Sequence, residues 1–303
     1  MPAYKINFIS ASTVIDSIKI SRAVTYAYSL LYPDKIDNFI YGIKNGEISF
    51  SDIFPIKNNC LLYPTPPINN YISHLDNEEK NKYIKNRKKI LKFVDYKLLK
   101  EIMKNFIENN FNGVEYYKIF ENIKEEINFI MPITEPGIQF LEKPIMYNGK
   151  YKYNEIFTKE LYLYNEGYFI VENPDKFVKA AIMLLNDMGL SGRRNSGKGT
   201  VSITELKEDL QTGFKAPGFY ILLSSYIPDE ESLKNIDFSK SRYNVGIFQG
   251  KDIHGTPIGP FRYLKSGSIL YIKDKIKGEV YSEHGGIMVF NPIIKEVQYE
   301  GKN

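Results

Sequence analysis

The sequence has a single cysteine and only three histidines, and both shortages exclude some kinds of chemistry. Cys60 alone cannot form a disulfide within the chain or supply a cysteine-based zinc cage, which fits the reducing cytoplasm. No apolar run approaches the ~18 consecutive residues that a membrane helix needs, so we do not expect a membrane protein. The N-terminus lacks a charged segment followed by an apolar stretch, and therefore shows no secretory signal.

The composition is otherwise that of an ordinary soluble protein, with 303 residues of which 43% are apolar and 25% are charged. This length favours two compact domains. The net charge is only +4, but residues 80–104 contain ten Lys or Arg and two acids. That segment carries +8, so the rest of the chain sums to 4 − 8 = −4. The positive charge is therefore concentrated in one segment.

Residues 189–203, GLSGRRNSGKGTVSI, nearly form a Walker A phosphate loop. The preceding segment predicts a helix capped by Asn173, with Pro174 in its first position and Gly189 at its end. Residues 200–206 alternate like a strand. A Walker A loop needs the reverse order, strand then helix, so that the helix N-terminus faces the phosphates. Gly199 also replaces the magnesium-binding hydroxyl, and we therefore do not expect a nucleotide triphosphatase.

The same loop retains many exposed amides together with Arg193, Arg194 and Lys198, which can contact phosphates. A solvated glycine-rich turn is the alternative. No cofactor is indicated. The acids Asp34, Asp37 and Asp52 are scattered in the sequence and do not have the spacing of a metal site.

The predicted elements follow an α+β order that is ferredoxin-like, or RRM-like. Residues 5–9 predict a strand, and Ser21 is expected to cap a helix that Pro33 terminates. Residues 160–171, ELYLYNEGYFIV, predict a hairpin. With the glycine-loop helix and its following strand, these elements form a first domain at residues 1–206 that carries a helical insertion at about 48–128.

The insertion contains a predicted helix from residue 77 to about 110. Its apolar stripe comprises Leu91, Val94, Leu98, Ile102 and Phe106. A second face carries lysines, namely Lys82, Lys85, Lys89, Lys92 and Lys100. This lysine face is either solvated or follows a nucleic-acid backbone, and the sequence leaves both open.

Residues 207–303 predict a smaller β-rich C-terminal domain, and the sequence leaves open whether it is a degenerate ferredoxin-like one. Strands are expected at 219–226, 242–248, 268–272 and 286–289, and a short helix at 230–236. No periodic internal repeat is evident.

A ferredoxin-like domain with an Arg-containing glycine loop between its second helix and last strand resembles the RAMP superfamily of CRISPR proteins. Residues 48–68, ISFSDIFPIKNNCLLYPTPPI, resemble a Ser-Asp, Phe-Pro, Tyr-Pro-x-Pro segment of the fourth subunit of type III-A Csm effector complexes. Residues 153–172, YNEIFTKELYLYNEGYFIVE, are similar to a hairpin of the same subunit. The resemblance covers most of the chain and is weaker in the C-terminal part.

This resemblance implies a subunit that holds the 5′ tag of the CRISPR RNA and joins the large polymerase-cyclase subunit to the first backbone subunit. Residues 147–158 would form a thumb-like hairpin across the guide. The helix start, ISRAVTYAYSLL, departs from the family pattern. By position, the implied RNA-binding residues are Ser21, Arg22, Gly192, Arg193, Arg194, Asn195, Ser196, Gly197, Lys198 and Gly199.

The alternative within the superfamily is a metal-independent endonuclease that processes CRISPR RNA. Such an enzyme needs an acid and a base near the scissile phosphate, usually histidines. His74, His254 and His284 lack a visible partner in the sequence, and none lies in the region of the first helix, where a processing enzyme of the superfamily would be expected to have one. We therefore expect a non-catalytic RNA-binding subunit in the cytoplasm, without a metal ion.

Overall fold

The computed structural model describes residues 1–67, 92–108, 129–147, 150–190, 197–251, 257–283 and 286–297. The helices are α1 (Ser17–Leu31), α2 (Ile36–Lys44), α3 (Tyr96–Glu108), α4 (Lys176–Met188) and α5 (Glu230–Asn235), with a 3₁₀ turn at Pro33–Lys35. The strands of the first two-thirds are β1 (Pro2–Phe8), β2 (Phe54–Lys57), β3 (Cys60–Leu61), β4 (Tyr63–Pro64), β5 (Phe93–Val94), β6 (Ile130–Tyr147), β7 (Lys150–Tyr164), β8 (Gly167–Ile170) and β9 (Val201–Asp209). The remaining strands are β10 (Gly218–Leu222), β11 (Ile236–Arg242), β12 (Val245–Lys251), β13 (Pro257–Leu264), β14 (Ile269–Ile272), β15 (Val280–Glu283), β16 (Gly286–Val289) and β17 (Ile294–Glu296).

A five-stranded sheet with the order β3-β2-β8-β1-β9 is the centre of the first part of the molecule. Its strand pairs are antiparallel. The sheet is covered on both faces, as β8 shows, because all four of its residues are buried. Phe169 packs in the core formed with α1 and α4, whereas Tyr168 and Ile170 pack in the core shared with α3 and the C-terminal part.

The two helices on the first face begin at residues other than those predicted. Asp16 caps α1, accepting a hydrogen bond from Lys19 N, and Ser21 lies inside the helix. Asp175 caps α4 through Phe177 N and Val178 N, so the cap predicted at Asn173 is also wrong. An aspartate two residues after Asn173 competes for the same role, because both side chains are good caps. The predicted end at Gly189 is confirmed, with φ +74° and its N–H bonded to Leu185 O.

The prediction of a hairpin at residues 160–171 is wrong, because its two strands do not pair with each other. β7 pairs along its length with β6, from Ile130↔Tyr164 to Tyr147↔Lys150. β8 instead enters the central sheet between β1 and β2. The Asn-Glu-Gly turn therefore redirects the chain from a protruding hairpin into the sheet.

The segment predicted as an insertion contributes to the core of the molecule. β2 joins the central sheet through Phe54↔Tyr168 and Pro55↔Gly167. The predicted helix does not run continuously, since Phe93 and Val94 form a strand with Tyr63 and Pro64. α3 begins only after Asp95, whose Oδ1 accepts from Leu98 N at 2.8 Å. Lys82, Lys85 and Lys89 lie outside the described residues.

The C-terminal part is built on a four-stranded antiparallel sheet with the order β11-β14-β10-β17. The strands predicted near 219, 242, 268 and 286 and the short helix are confirmed, with ends that shift by a few residues. The sequence reasoning missed β11, β13, β15 and β17. Overall the molecule is a mixed α and β structure with several small antiparallel sheets.

Candidate nucleic-acid interface

Both ends of the glycine loop are fixed by backbone hydrogen bonds. Leu190 N donates to Gly199 O at 2.7 Å, which closes the loop at its base. Gly199 N donates to Ala11 O at 2.9 Å, and Ile9 N donates to Thr200 O at 2.9 Å. The two ends of the loop are therefore fixed to each other and to the segment that follows β1. Residues 191–196, which include Gly192, Arg193, Arg194, Asn195 and Ser196, lie outside the described residues.

Two glycines at the end of the loop have backbone angles that favour glycine. Gly197 has φ +70° and Gly199 has φ +74°. A Cβ added at Gly197 would have no atom within 4 Å, so space there is open. Gly197 is exposed, whereas Lys198 is half-buried. Positive φ lets successive amides turn toward one side, which is the backbone geometry that binds anions.

The loop also lies beside the base of the long β6–β7 hairpin, which we call the arm. Ser12 N donates to Tyr162 O at 2.9 Å, and Tyr162 N donates to Ser12 O at 2.8 Å. Ser12 Oγ donates to Leu190 O at 3.4 Å. Ser12 thus contacts both the arm and the first residue of the loop, and holds them side by side.

The arm contains the two longest strands of the described residues. β7 has 15 residues, which corresponds to about 50 Å of extended strand. The hairpin expected at residues 147–158 is present as the outer part of this arm, because β6 ends at Tyr147 and β7 begins at Lys150. A bulge between Phe140 and Ile145 shifts the register. The base of the arm therefore lies beside Leu190, the residue at the start of the loop.

The N-terminus of α1 does not offer the phosphate site expected at Ser21 and Arg22. Ser21 is fully buried, and its Oγ donates to Ile18 O at 2.9 Å. Two carboxylates already accept from the first turn of the helix, since Ser17 N donates to Asp52 at 2.7 Å and Lys19 N donates to Asp16 at 2.9 Å. A phosphate would therefore be repelled there.

Arg22 lies in the second turn of α1 and is half-buried. A Cβ added at Gly250 would lie 3.7 Å from its Nη1, so Arg22 extends toward β12 in the C-terminal part. The position at a helix terminus that was predicted for Arg22 is therefore wrong.

Asp52 joins the first helix to the C-terminal part. Its Oδ2 accepts from Ser266 Oγ at 2.5 Å, while its Oδ1 accepts from Ser17 N. Burial raises the pKa of Asp52 to about 6, and the charge of Asp16 adds to this rise, although the hydrogen bonds from Ser266 and Ser17 oppose it. Asp52 therefore links the start of α1 to the C-terminal part of the chain through its two hydrogen bonds.

The sequence reasoning overlooked the segment between β1 and α1. Ser10 Oγ accepts from Thr200 N at 3.0 Å, which adds a side-chain contact to the base of the loop. Ile9 and Val14 are exposed apolar residues of the same segment. A signal was present, because Ser10, Ser12 and Thr13 follow directly after the first strand. Such short hydroxyl residues favour loops with side chain to backbone hydrogen bonds.

Within the described part of the chain, no group of three or more His, Cys, Asp or Glu side chains could hold a metal ion. None of the helices in those ranges has the length and apolar character needed to span a bilayer. His74, His254 and His284 fall outside the described residues.

Solved structures with the same fold come from type III-A CRISPR assemblies. A chain of the Csm3-Csm4 subcomplex in the type III-A CRISPR-Cas interference complex has a TM-score of 0.62 and 22% identity, covering 97% of this chain and 98% of that one. A chain of the Csm1-Csm4 cassette in complex with AMPPNP has a TM-score of 0.56, 16% identity and 96% coverage of both chains. The same cassette with pppApA has a TM-score of 0.55, 16% identity and 99% coverage of both.

No protein-family model and no curated protein matches the chain. Csm4 is the component that the two kinds of solved assembly share. The resemblance expected from the sequence is therefore confirmed at the level of the fold, over nearly the whole length of both chains.

Proposed function

We propose that this protein is the Csm4-type subunit of a type III-A CRISPR interference complex, where it holds the 5′ tag of the CRISPR RNA without cutting it. The observation that carries the proposal is the full-length likeness to chains from two different Csm4-containing assemblies. A likeness confined to the central sheet would fit many RNA-binding and metabolic domains, because that sheet type is common. Here it also includes the arm and the C-terminal part.

The central sheet supports a ferredoxin-like RAMP domain. The order β2-β8-β1-β9, with α1 after the first strand and α4 after the third, is the order of a β-α-β-β-α-β unit. Within this unit, the glycine loop connects the second helix to the last strand. This is the position that the sequence resemblance assigned to the RNA-binding loop.

In the proposed complex, the glycine loop binds the RNA backbone. Its closed base keeps it beside the arm, and the open space at Gly197 lets a phosphate approach the amides. Arg193, Arg194 and Lys198 supply positive charge, and phosphate contacts of this kind position an RNA without reading its bases. The arm then lies across the same strand. Ser21 has no part in this interface, because it is buried.

The proposed partners are the Csm1-type polymerase-cyclase subunit and the Csm3-type backbone subunit. They correspond to the two assemblies in which chains of this fold have been solved. The molecule would then bridge the two subunits in the cytoplasm and contribute no reaction of its own.

The test compares RNA binding by the full chain and by a double variant, Arg193→Ala/Arg194→Ala. With a CRISPR RNA that carries its 5′ tag, the variant should bind more weakly. The slope of its log affinity against log salt concentration should become shallower by roughly 0.7 for each lost phosphate contact. Fluorescence anisotropy at several salt concentrations measures both quantities. Lys89→Ala/Lys92→Ala is the matched control, since it also removes two positive charges.

Two outcomes would contradict the proposal. If the lysine pair flattens the salt dependence and the arginine pair does not, the phosphate site is on the basic segment and the glycine loop is only a turn. If the protein cleaves the RNA without magnesium, and replacement of His74, His254 or His284 abolishes cleavage, it is a processing endonuclease.

A further inference from the structure

Lys295 is a buried cation between α3 and the sheet of the C-terminal part. Only 8% of the residue is exposed. Its Nζ donates to Gln211 O at 3.1 Å and lies over the rings of Tyr96, at 4.7 Å, and Tyr63, at 5.7 Å. An ammonium group has three protons to donate, and ring faces compensate a buried charge only in part. The charge of Lys295 is therefore incompletely balanced within the described part of the chain.

Two further lysines share the same neighbours. Lys215 Nζ donates to Gln211 Oε1 at 3.0 Å, so Gln211 contacts both Lys215 and Lys295. Lys100 lies over the ring of Tyr96 at 5.0 Å, the ring that Lys295 also contacts. Gln211 and Tyr96 thus link three lysines that come from α3, from the segment before β10 and from β17.

The charges of these lysines act on one another. Burial lowers the pKa of Lys295, and the positive charges of Lys215 and Lys100 lower it further. Two carboxylates lie near these lysines: Glu296 is 3.8 Å from Lys215 Nζ, and the charge of Glu208 raises the pKa of Tyr63. Adjacent residues of a strand point to opposite faces, which separates Glu296 from Lys295. Together the three lysines, Glu208 and Glu296 carry a net charge of about +1 at neutral pH.

We propose that Lys100, Lys215 and Lys295 form a binding site for a phosphate group at the junction of α3 and the edge strand β17. A phosphate would supply the missing negative charge and the missing acceptors together. Lysine suits this ligand, because it binds phosphate as a point charge, whereas carboxylates are better matched by the fork of arginine.

This site is separate from the glycine loop. The loop precedes β9 and Gln211 follows it, and the nine residues of that strand span about 30 Å. The inference therefore goes beyond the proposed function, and it can fail while the RNA-binding loop stands. The phosphate can belong to an RNA backbone or be a free ion, and the experiment distinguishes these sources.

The first measurement is thermal unfolding of the full chain in sodium phosphate and in sodium chloride of equal ionic strength. Phosphate should raise the Tm of the unaltered protein by about 2 °C or more beyond the chloride value. Lys295→Met should lose this rise. Lys240→Met is the matched control, since Lys240 is an exposed lysine over the ring of Tyr271, at 4.5 Å.

If Lys295→Met does not fold, the double variant Lys100→Met/Lys215→Met is measured in its place. Both of its side chains are on the surface, and it should lose at least half of the phosphate-dependent rise in Tm. Comparison with Lys240→Met removes the general stabilisation that phosphate gives to any folded protein.

RNA binding then identifies the source of the phosphate. A fall of threefold or more in the affinity of the double variant for single-stranded RNA, with a flatter salt dependence, assigns the site to the RNA backbone. Unchanged RNA affinity together with a lost Tm rise assigns it to a free phosphate ion. If the variants keep both the full Tm rise and the full RNA affinity, the proposal is wrong.

Discussion

The molecule contains two antiparallel sheets whose strands follow the same order but whose coverings differ. In the first, β3 forms one edge and the other four strands follow the order β2-β8-β1-β9; the first and third of these four along the chain are followed by helices of 15 and 13 residues. In the second, β11-β14-β10-β17, the first strand is followed by the six-residue helix α5. The β15–β16 hairpin stands between its third and fourth strands. The same strand order therefore occurs with two long helices as connections in the first sheet, and with a short helix and a hairpin in the second.

The hairpin that stands in the place of the second helix joins the two parts of the molecule. Ile287 and Val289 of β16 pack in the core of the first part, together with α1. Met288 and Phe290 pack against Ile18 of the same helix. The hairpin packs on α1 and, through Phe248 and Ile258, on the β12–β13 pair, and none of its residues is in the core of the second sheet. This packing buries the face of α1 that carries Ile18.

Hydrogen bonds also join the first part of the molecule to the C-terminal part. Asn291 Nδ2 donates to Ile43 O at 2.7 Å, and Ser225 N donates to Ser17 Oγ at 2.9 Å. Asp52 N donates to Leu223 O at 2.9 Å. Buried polar groups are costly unless they are paired, so these bonds fix the relative position of the two sheets.

The largest effect is expected where the hairpin is attached. A Cβ at Gly278 would lie 2.0 Å from Phe290 O, which belongs to the backbone and cannot move aside easily. Gly278→Ala should therefore lower the free energy of unfolding by about 3 kcal/mol or more. Chemical denaturation measures this value. Gly218→Ala is the control, because its nearest atom is 3.9 Å away. Equal midpoints for the two variants would contradict the close contact.

A second prediction contrasts the helices of the two sheets. Ile182 of α4 is fully buried, whereas Leu233 of α5 is 47% exposed. Ile182→Ala should lower the free energy of unfolding by about 2–4 kcal/mol, because it leaves a cavity against the first sheet. Leu233→Ala should change it by less than about 0.5 kcal/mol. Similar losses in denaturant unfolding would mean that α5 is as important to its sheet as α4.

The smallest effect concerns Asp52 at the junction. Its pKa is raised to about 6 in the folded protein, compared with about 3.9 in an unfolded chain. The folded state therefore binds the proton more tightly, and the stability that this contributes below about pH 4 is lost as the pH rises to about 6. Relative to Asp52→Asn, the unaltered protein should lose stability over this window.

Denaturant unfolding at several pH values between 4 and 7 measures the effect. Asp34→Asn, which removes an exposed carboxylate, serves as the control. Parallel pH profiles for the unaltered protein and Asp52→Asn would show that the junction does not hold a protonated carboxyl.

Local signals in the sequence were sufficient for much of the fold. The apolar spacing and Gly189 determined α4, and alternation determined the buried residues Val201 and Ile203 of β9. The order of helix, loop and strand around GRRNSGKGT could also be predicted, and with it the argument against a Walker A loop. These features depend on residues that are near one another in the chain, so periodicity and capping reveal them.

Strand pairing could not be predicted in the same way. Asn165-Glu166-Gly167 has the composition of a hairpin turn, yet Tyr168 pairs with Lys5 and Phe54. The run GYFI contained a hint, because a strand that is apolar at every position is usually buried on both faces. Its partners come from distant parts of the chain, and no local pattern specifies them.

The candidate site, like the fold, could be predicted only in part from the sequence. The residue types of the glycine loop indicated phosphate chemistry from the sequence alone. Only the tertiary structure placed that loop beside the arm through Ser12, buried Ser21 in α1, and brought Lys100, Lys215 and Lys295 together from three separate segments. Local sequence determines which backbone conformations are favourable, whereas burial and charge depend on which distant segments pack together, and that is decided by the fold as a whole.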